Sequence, residues 1–236
     1  MAAGPVRAAG GRARRVVTML ELTPEIVRGV PKNGPTDPIE FYRRPLVGWL
    51  FRERINVGLR LLPRRRYARA LEVGYGSGAV QLVLRDVVDE LAGVDLDADP
   101  VEVGRELARR GCATELRRGD VCALPYGDGA FDLVVSFSVF EHLRDYRRAL
   151  AEVARVLRPH GLFLLGMPSV NLAMEAGFRL IGFRGIADHH VTTPAAVKGA
   201  FRDAGLGLVR HAGLDLPVRR PFGLRLYHCF LLERAR

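Results

Sequence analysis

From residue 69 onward, short apolar runs alternate with amphipathic stretches, the pattern left by strands linked through helices. Ala70–Gly74 reads as the first strand and Ala79–Val88 as the helix after it. Leu91–Asp95 and Thr114–Arg117 read as the next two strands, with Pro100–Arg110 as the helix between them. Phe131–Phe137 is the most strand-like segment: Phe131, Leu133, Val134 and Val135 leave almost no polar face, as a parallel strand covered on both sides demands. Tyr146–Leu157 places Leu150, Val153, Val156 and Leu157 at helical spacing, and Pro159 and Gly161 are expected to end it. Leu162–Met167 follows as a fifth strand. Residues 168–193 show no clear period, Pro194–Ala204 reads as a helix, and Leu206–Ala212 and Arg225–Leu232 as two closing strands. The expected class is α/β with a mostly parallel sheet.

Pro45–Leu62 differs in kind. Drawn as a helix, Leu46, Val47, Leu50, Phe51, Ile55, Val57, Leu59, Leu61 and Leu62 fill an apolar arc of roughly 220°. Pro45 suits its first turn, Pro63 ends it, and Arg64, Arg65, Arg66 and Arg69 follow.

Charge sharpens the division. The net +10 lies wholly in residues 1–69, where 15 Lys and Arg face 5 Asp and Glu; residues 70–236 balance at 21 against 21. An anion drawn by this charge meets the N-terminal segment and not the body. Residues 1–35 are expected to be a disordered basic leader and residues 36–66 an N-terminal helical lid. The main domain is expected over 67–236, with 168–193 as an acceptor-side cap. Nothing approaches 18 consecutive apolar residues, so no membrane span is expected. Cys112, Cys122 and Cys229 have no metal-like or disulfide-like spacing, which suits a reducing cytoplasm.

The first strand runs into Glu72–Val73–Gly74–Tyr75–Gly76–Ser77–Gly78. Glycines here let the chain turn sharply into a helix and let a ligand approach the backbone. Such a turn alone also serves dinucleotide binders. The spacing, however, is G-x-G-x-G and not the G-x-G-x-x-G of the pyrophosphate fingerprint, and Glu72 would repel a pyrophosphate while suiting a cation. "ALEVGYGSG" resembles the first motif of class I S-adenosylmethionine-dependent methyltransferases, type 11-like and small-molecule in character. "GVDLD", "RGDVCALPYGDGAFDLVVS", "FDLVVSFSVFEHL" and "VARVLRPHGLFLL" resemble later segments of that family in order and spacing, covering residues 69–167 well and 168–236 only in layout.

The resemblance implies a Rossmann-like, seven-stranded, mostly parallel sheet with helices on both faces and an antiparallel last strand. It implies S-adenosyl-L-methionine as cofactor, held by Glu72, Gly74, Tyr75, Gly76 and Gly78, by Asp95 and Leu96, by Asp120 and Val121, and by Ser136. Asp95 matches the position that holds the ribose hydroxyls, where a carboxylate accepts both hydrogen bonds of a diol. Helix capping for Asp95 and a turn role for Asp120 remain open. Glu141 and His142 lie just past the fourth strand, at the sheet edge where open α/β folds bind ligands, and with His189 are the catalytic candidates. Tyr42, Arg43, Asn171 and His190 are candidates for the acceptor side. No His/Asp/Glu cluster stands at ligand spacing, so no metal is expected. The expected acceptor is a small molecule such as a secondary metabolite, quinone or lipid precursor; peripheral membrane contact through residues 41–69 is the alternative reading. Nucleic acid is not expected, because Ser136–Phe137–Ser138–Val139 stands where base-flipping methyltransferases carry an Asn/Asp-Pro-Pro-Tyr-type tetrapeptide. A nicotinamide-dependent oxidoreductase is disfavoured by the glycine spacing.

Overall fold

The computed structural model describes residues 20–34, 37–169, 190–216 and 224–236. Strands β1 (Tyr67–Val73), β2 (Val88–Asp95), β3 (Glu115–Arg118), β4 (Phe131–Phe137), β5 (Leu157–Pro168), β6 (Leu206–Leu216) and β7 (Leu224–Arg234) form one sheet in the order β3-β2-β1-β4-β5-β7-β6. The first five run parallel, and β7 enters antiparallel between β5 and β6. The expected Rossmann-like sheet with its antiparallel last strand is therefore present. Strand order reverses at β1, whose neighbours are β2 and β4, so a crevice opens beyond the carboxyl ends of these central strands.

Two apolar layers cover the sheet. On one face Leu133 and Val135 of β4 join α3 (Pro45–Leu59), α4 (Ala79–Leu84) and α5 (Pro100–Arg109). On the other, Phe131 and Val134 pack with α6 (Tyr146–Val156) and a short helix, α7 (Pro194–Gly199). Burial on both faces is why β4 lacks an alternating polar face.

Three boundaries differ from the sequence reading. Helix α4 stops at Leu84 and β2 begins at Val88, because the run Val87–Val88 is buried and an apolar run does not say whether helix or strand buries it. Pro159 and Gly161 do not separate helix from strand: α6 ends at Val156, β5 starts at Leu157, and both residues lie inside the strand. His160 there has φ 62°, and the β4–β5 register shifts between Phe131 and Leu133, an irregularity that tolerates a proline. The arc helix also ends earlier, at Leu59.

The leader expected over 1–35 is corrected at its C-terminal end. Residues 20–34 are packed: α1 (Pro24–Val27) is capped by Thr23, and Leu22, Val27 and Val30 are buried in the core. Buried Asn56 of α3 clamps this segment, accepting from Leu22 N at 2.7 Å and donating to Leu22 O at 3.4 Å. An Asn56→Ala variant is expected to lose about 1–3 kcal/mol, because a buried N–H and C=O lose their partner. Thermal melting reads the loss, and limited proteolysis should reveal new cleavage near residues 20–30. Unchanged protection would mean that apolar contacts alone hold the segment.

The arc helix buries Phe51, Ile55, Val57 and Leu59 but leaves Leu46 and Trp49 exposed, at 87% and 56%. No helix among the described residues is long and apolar enough to cross a membrane.

Candidate functional site

β1 ends at Val73, and the next turns are built on Gly74 (φ 78°), Gly76 (φ 48°) and Gly78 (φ 79°). These left-handed values favour glycine, and at Gly74 space forbids anything larger: a Cβ would sit 2.2 Å from Val139 Cγ2. Asp95, at the end of β2, ties this loop to the neighbouring turn. Its Oδ2 accepts from Gly76 N at 2.8 Å, and its Oδ1 accepts from Asp97 N at 2.9 Å and Ala98 N at 3.0 Å. Asp95 does not cap the following helix; Asp99 caps α5, accepting from Val101 N and Glu102 N. A carboxylate has about four acceptor positions, so Asp95 retains capacity for a ligand hydroxyl.

Glu72 is buried, and its Oε2 has no hydrogen-bond partner in the structure. Burial pushes its carboxyl well above the usual range, and the charge of Asp95 adds to that while Gln81 opposes it. Asp37 lies on the same side, accepting from Asn33 N, Ile39 N and Ser77 Oγ, and burial raises its carboxyl too. Three carboxyl groups therefore border the glycine loop, a setting that favours a cationic group and opposes a pyrophosphate. Asp37 and Asn33 were not foreseen as site residues; the available signal for Asp37 was an Asp ahead of Pro38, an Asx-turn pattern.

The remaining cofactor-side positions divide. Tyr75 packs its ring beneath the sheet edge against Gly93, and Leu96 and Val121 reach the cavity. Asp120 lines it too, while its side chain accepts from Cys122 N at 2.8 Å and caps a short 3₁₀ turn, Val121–Ala123. Ser136 is corrected: it is fully buried within β4 and does not border the cavity, whereas Phe137 and Ser138 do. The strand exits one pleat later than the motif position suggested.

All of this opens into a cavity of about 760 Å³ that continues to the far side of the sheet edge. There Ser138 takes φ 58°, rare for a non-glycine residue, as the chain leaves β4 for the 3₁₀ turn Phe140–His142. Glu141 is 1% exposed with Oε2 unpartnered, and burial pushes its carboxyl up to about 8 against the opposing influence of Arg54 and Ser138. The Glu141 carbonyl accepts from Val191 N and Thr192 N, which draws His190 in until its ring centre lies 5.3 Å from that of His142. Donor atoms of Glu141, His142 and His190 all lie within 4.8 Å of one another, so the expectation of no His/Glu cluster is corrected. The cluster was hidden because His190 is remote in sequence and joins only through these main-chain bonds.

The wall facing them is aromatic and basic. Arg54 donates to Tyr42 Oη at 3.0 Å and lies over the Phe51 ring at 4.5 Å, and all three line the cavity. Arg54 escaped notice in the sequence, although its position three residues after Phe51 puts it on the buried face of the helix. Arg43 is corrected: it donates to Val27 O and does not border the cavity. His189 and Asn171 lie outside the described residues.

Residues 71–165 match the methyltransferase domain family. An uncharacterized methyltransferase of Bacillus subtilis, YcgJ, is 35% identical over 130 residues, covering 53% of this chain and 50% of its own. The demethylmenaquinone methyltransferase of Thermus thermophilus is 33% identical over 121 residues, covering 50% of this chain and 53% of its own. The chain spans about half the length of the curated relatives it matches. Among solved structures, the [4+2]-cyclase SpnF superposes with a TM-score of 0.63 at 17% identity, covering 91% of this chain and 92% of the other, a likeness of fold alone.

Proposed function

We infer that this chain, which belongs through residues 71–165 to the class I S-adenosylmethionine-dependent methyltransferases, transfers a methyl group to a small-molecule acceptor. One observation carries the reading. The same cavity of about 760 Å³ reaches from the acidic glycine loop to the aromatic and basic wall of Tyr42, Phe51 and Arg54, a volume suited to small ligands. The Thermus relative is named for a quinone precursor, which supports a small-molecule acceptor.

The residues present fit the cofactor. The orphaned Oε2 of Glu72 offers a partner to the methionyl ammonium, Asp95 has acceptor capacity left for a ribose hydroxyl, and Gly74 and Gly76 let the ligand lie against the backbone. When bound, S-adenosylmethionine supplies an electrophilic methyl on a sulfonium. The protein's task is then alignment, an effect worth up to about 7–11 kcal/mol. Tyr42 and Phe51 hold the apolar body of the acceptor, and Arg54 meets an acidic or phenolic oxygen. Glu141 and His142 stand where the acceptor gives up its proton.

Titration calorimetry with S-adenosylmethionine and an NADH control tests the cofactor. Binding of NADH instead would make the chain an oxidoreductase. Transfer of labelled methyl to a panel of phenols and carboxylic acids then tests the acceptor class. His142→Ala is expected to lower turnover about a hundredfold, the range of a lost proton-handling group, with cofactor affinity unchanged. Collapse of that affinity would overturn the acceptor-side assignment.

A second reading keeps the chemistry and moves it to a membrane surface. It is favoured by exposed Leu46 and Trp49 beside exposed Arg43 and Arg44, and opposed by the burial of Phe51, Ile55 and Leu59 on the same helix. Flotation with anionic liposomes separates the two, because only the second predicts cofloating protein.

A further inference from the structure

We propose that Glu141, His142 and His190 form a binding site for one divalent transition-metal ion on the acceptor side of the cavity. The inference deepens the methyl-transfer reading and rests on it for its use, but not for its test.

The geometry is close to a ligand shell. Nε2 of His142 stands 4.0 Å from Oε1 of Glu141, and the donor atoms of all three residues lie within 4.8 Å. A tetrahedral ion with ligands at about 2.0–2.2 Å sets them about 3.4 Å apart, so rotamer shifts of about 1 Å would close the shell. The His142 side chain is 48% exposed.

The second observation is the carboxylate itself. Glu141 is 1% exposed, faces the cavity, and carries an oxygen, Oε2, with no hydrogen-bond partner. A buried polar atom left without a partner costs free energy, and native proteins tolerate few of them. A cation held jointly with the two imidazoles would satisfy it. Arg54 is the competing cation: one of its amino groups donates to Tyr42 Oη and its plane lies over Phe51, but its Nε, like Glu141 Oε2, has no hydrogen-bond partner, so the guanidinium does not satisfy that oxygen.

The juxtaposition is also built rather than incidental. Val191 N and Thr192 N both donate to the Glu141 carbonyl, and the Thr192 side chain donates through Oγ1 to Leu143 O, so hydrogen bonds to main-chain carbonyls flank the cluster. Two imidazoles and one carboxylate with open positions toward solvent are the ligand set of catalytic zinc and related divalent sites. The open side faces the cavity, where an acceptor oxygen would complete the coordination. Such contact would lower the pKa of the bound hydroxyl and let its proton pass to water, so that in the metal-bound protein the ion replaces Glu141 and His142 as the means of removing that proton, which points to an oxygen acceptor.

The test uses the full chain, free of any histidine tag and stripped with chelator, with neither cofactor nor acceptor added. Calorimetry with Zn²⁺ and the visible spectrum with Co²⁺ are both read. One equivalent is expected to bind, with affinity at least tenfold weaker in His190→Ala and in Glu141→Gln. A control, His228→Ala, addresses a second histidine pair among the described residues, in which His211 Nε2 lies 3.3 Å from His228 Nδ1; it is expected to leave the affinity unchanged. Absence of binding, or binding weakened only in the control, would overturn the proposal. Thermal melts of each variant identify any that fail to fold, and the Glu141 and His190 variants report independently. S-adenosylmethionine binding measured on the stripped protein tells failure of the cofactor reading apart from failure of the metal site.

Discussion

Replacing Asp95 with alanine is expected to weaken S-adenosylmethionine binding roughly tenfold to a hundredfold. The carboxylate lines the cavity and is proposed to meet a ribose hydroxyl, and one hydrogen bond to a charged acceptor is worth about 1.5–3 kcal/mol. The same side chain also holds Gly76 N, Asp97 N and Ala98 N, so its loss loosens both loops that border the ligand. Asp95→Asn keeps one acceptor oxygen and the size of the group but removes the charge and turns an amide NH2 toward one of the two sets of backbone donors, so a loss of roughly tenfold is expected, part of it from the loop. Calorimetry on the three proteins checks this. Unchanged affinity in the alanine variant would leave Asp95 as a loop clamp alone.

The second large effect is structural. Gly74→Ala is expected to destabilise the protein by about 3 kcal/mol, because it combines a left-handed φ of 78° with a Cβ placed 2.2 Å from Val139 Cγ2. For a chain of this size that corresponds to a fall in melting temperature of about 6–12 °C. Adding Val139→Ala removes the collision but not the backbone penalty, so about half of the loss should return. No recovery would mean that backbone conformation alone sets the cost, and full recovery that collision does. In either variant the loop shifts, and cofactor affinity should fall with stability.

The two predictions concern residues that were legible without coordinates, and for a common reason. A glycine needed at positive φ, an acid at a strand end and an apolar strand covered on both faces are each decided by near neighbours in sequence. The apolar run Phe131–Phe137 marks both ends of β4 for that reason. Borders inside continuous apolar runs were not legible, as at Val87–Val88, nor was the strand character of Pro159–Gly161, which a register irregularity permits. Ser136 was misassigned because a motif gives order along the chain, while the pleat decides which of Ser136, Phe137 and Ser138 meets the cavity.

The sequence by itself determined the class of fold, the glycine loop with its acid partners, and the kind of cofactor they suit, since all of these follow from local periodicity and turn chemistry. Only the tertiary structure decided what stands opposite. Asn33 came from a supposed leader to border the cavity, Arg54 turned inward from a helix read as a lid, and His190 was drawn beside Glu141 and His142 by main-chain bonds to the Glu141 carbonyl. Such contacts join residues far apart along the chain. For Asn33 and Arg54 the cause is burial of the apolar faces of α3 and the 20–34 segment, which brings those parts of the chain to the sheet.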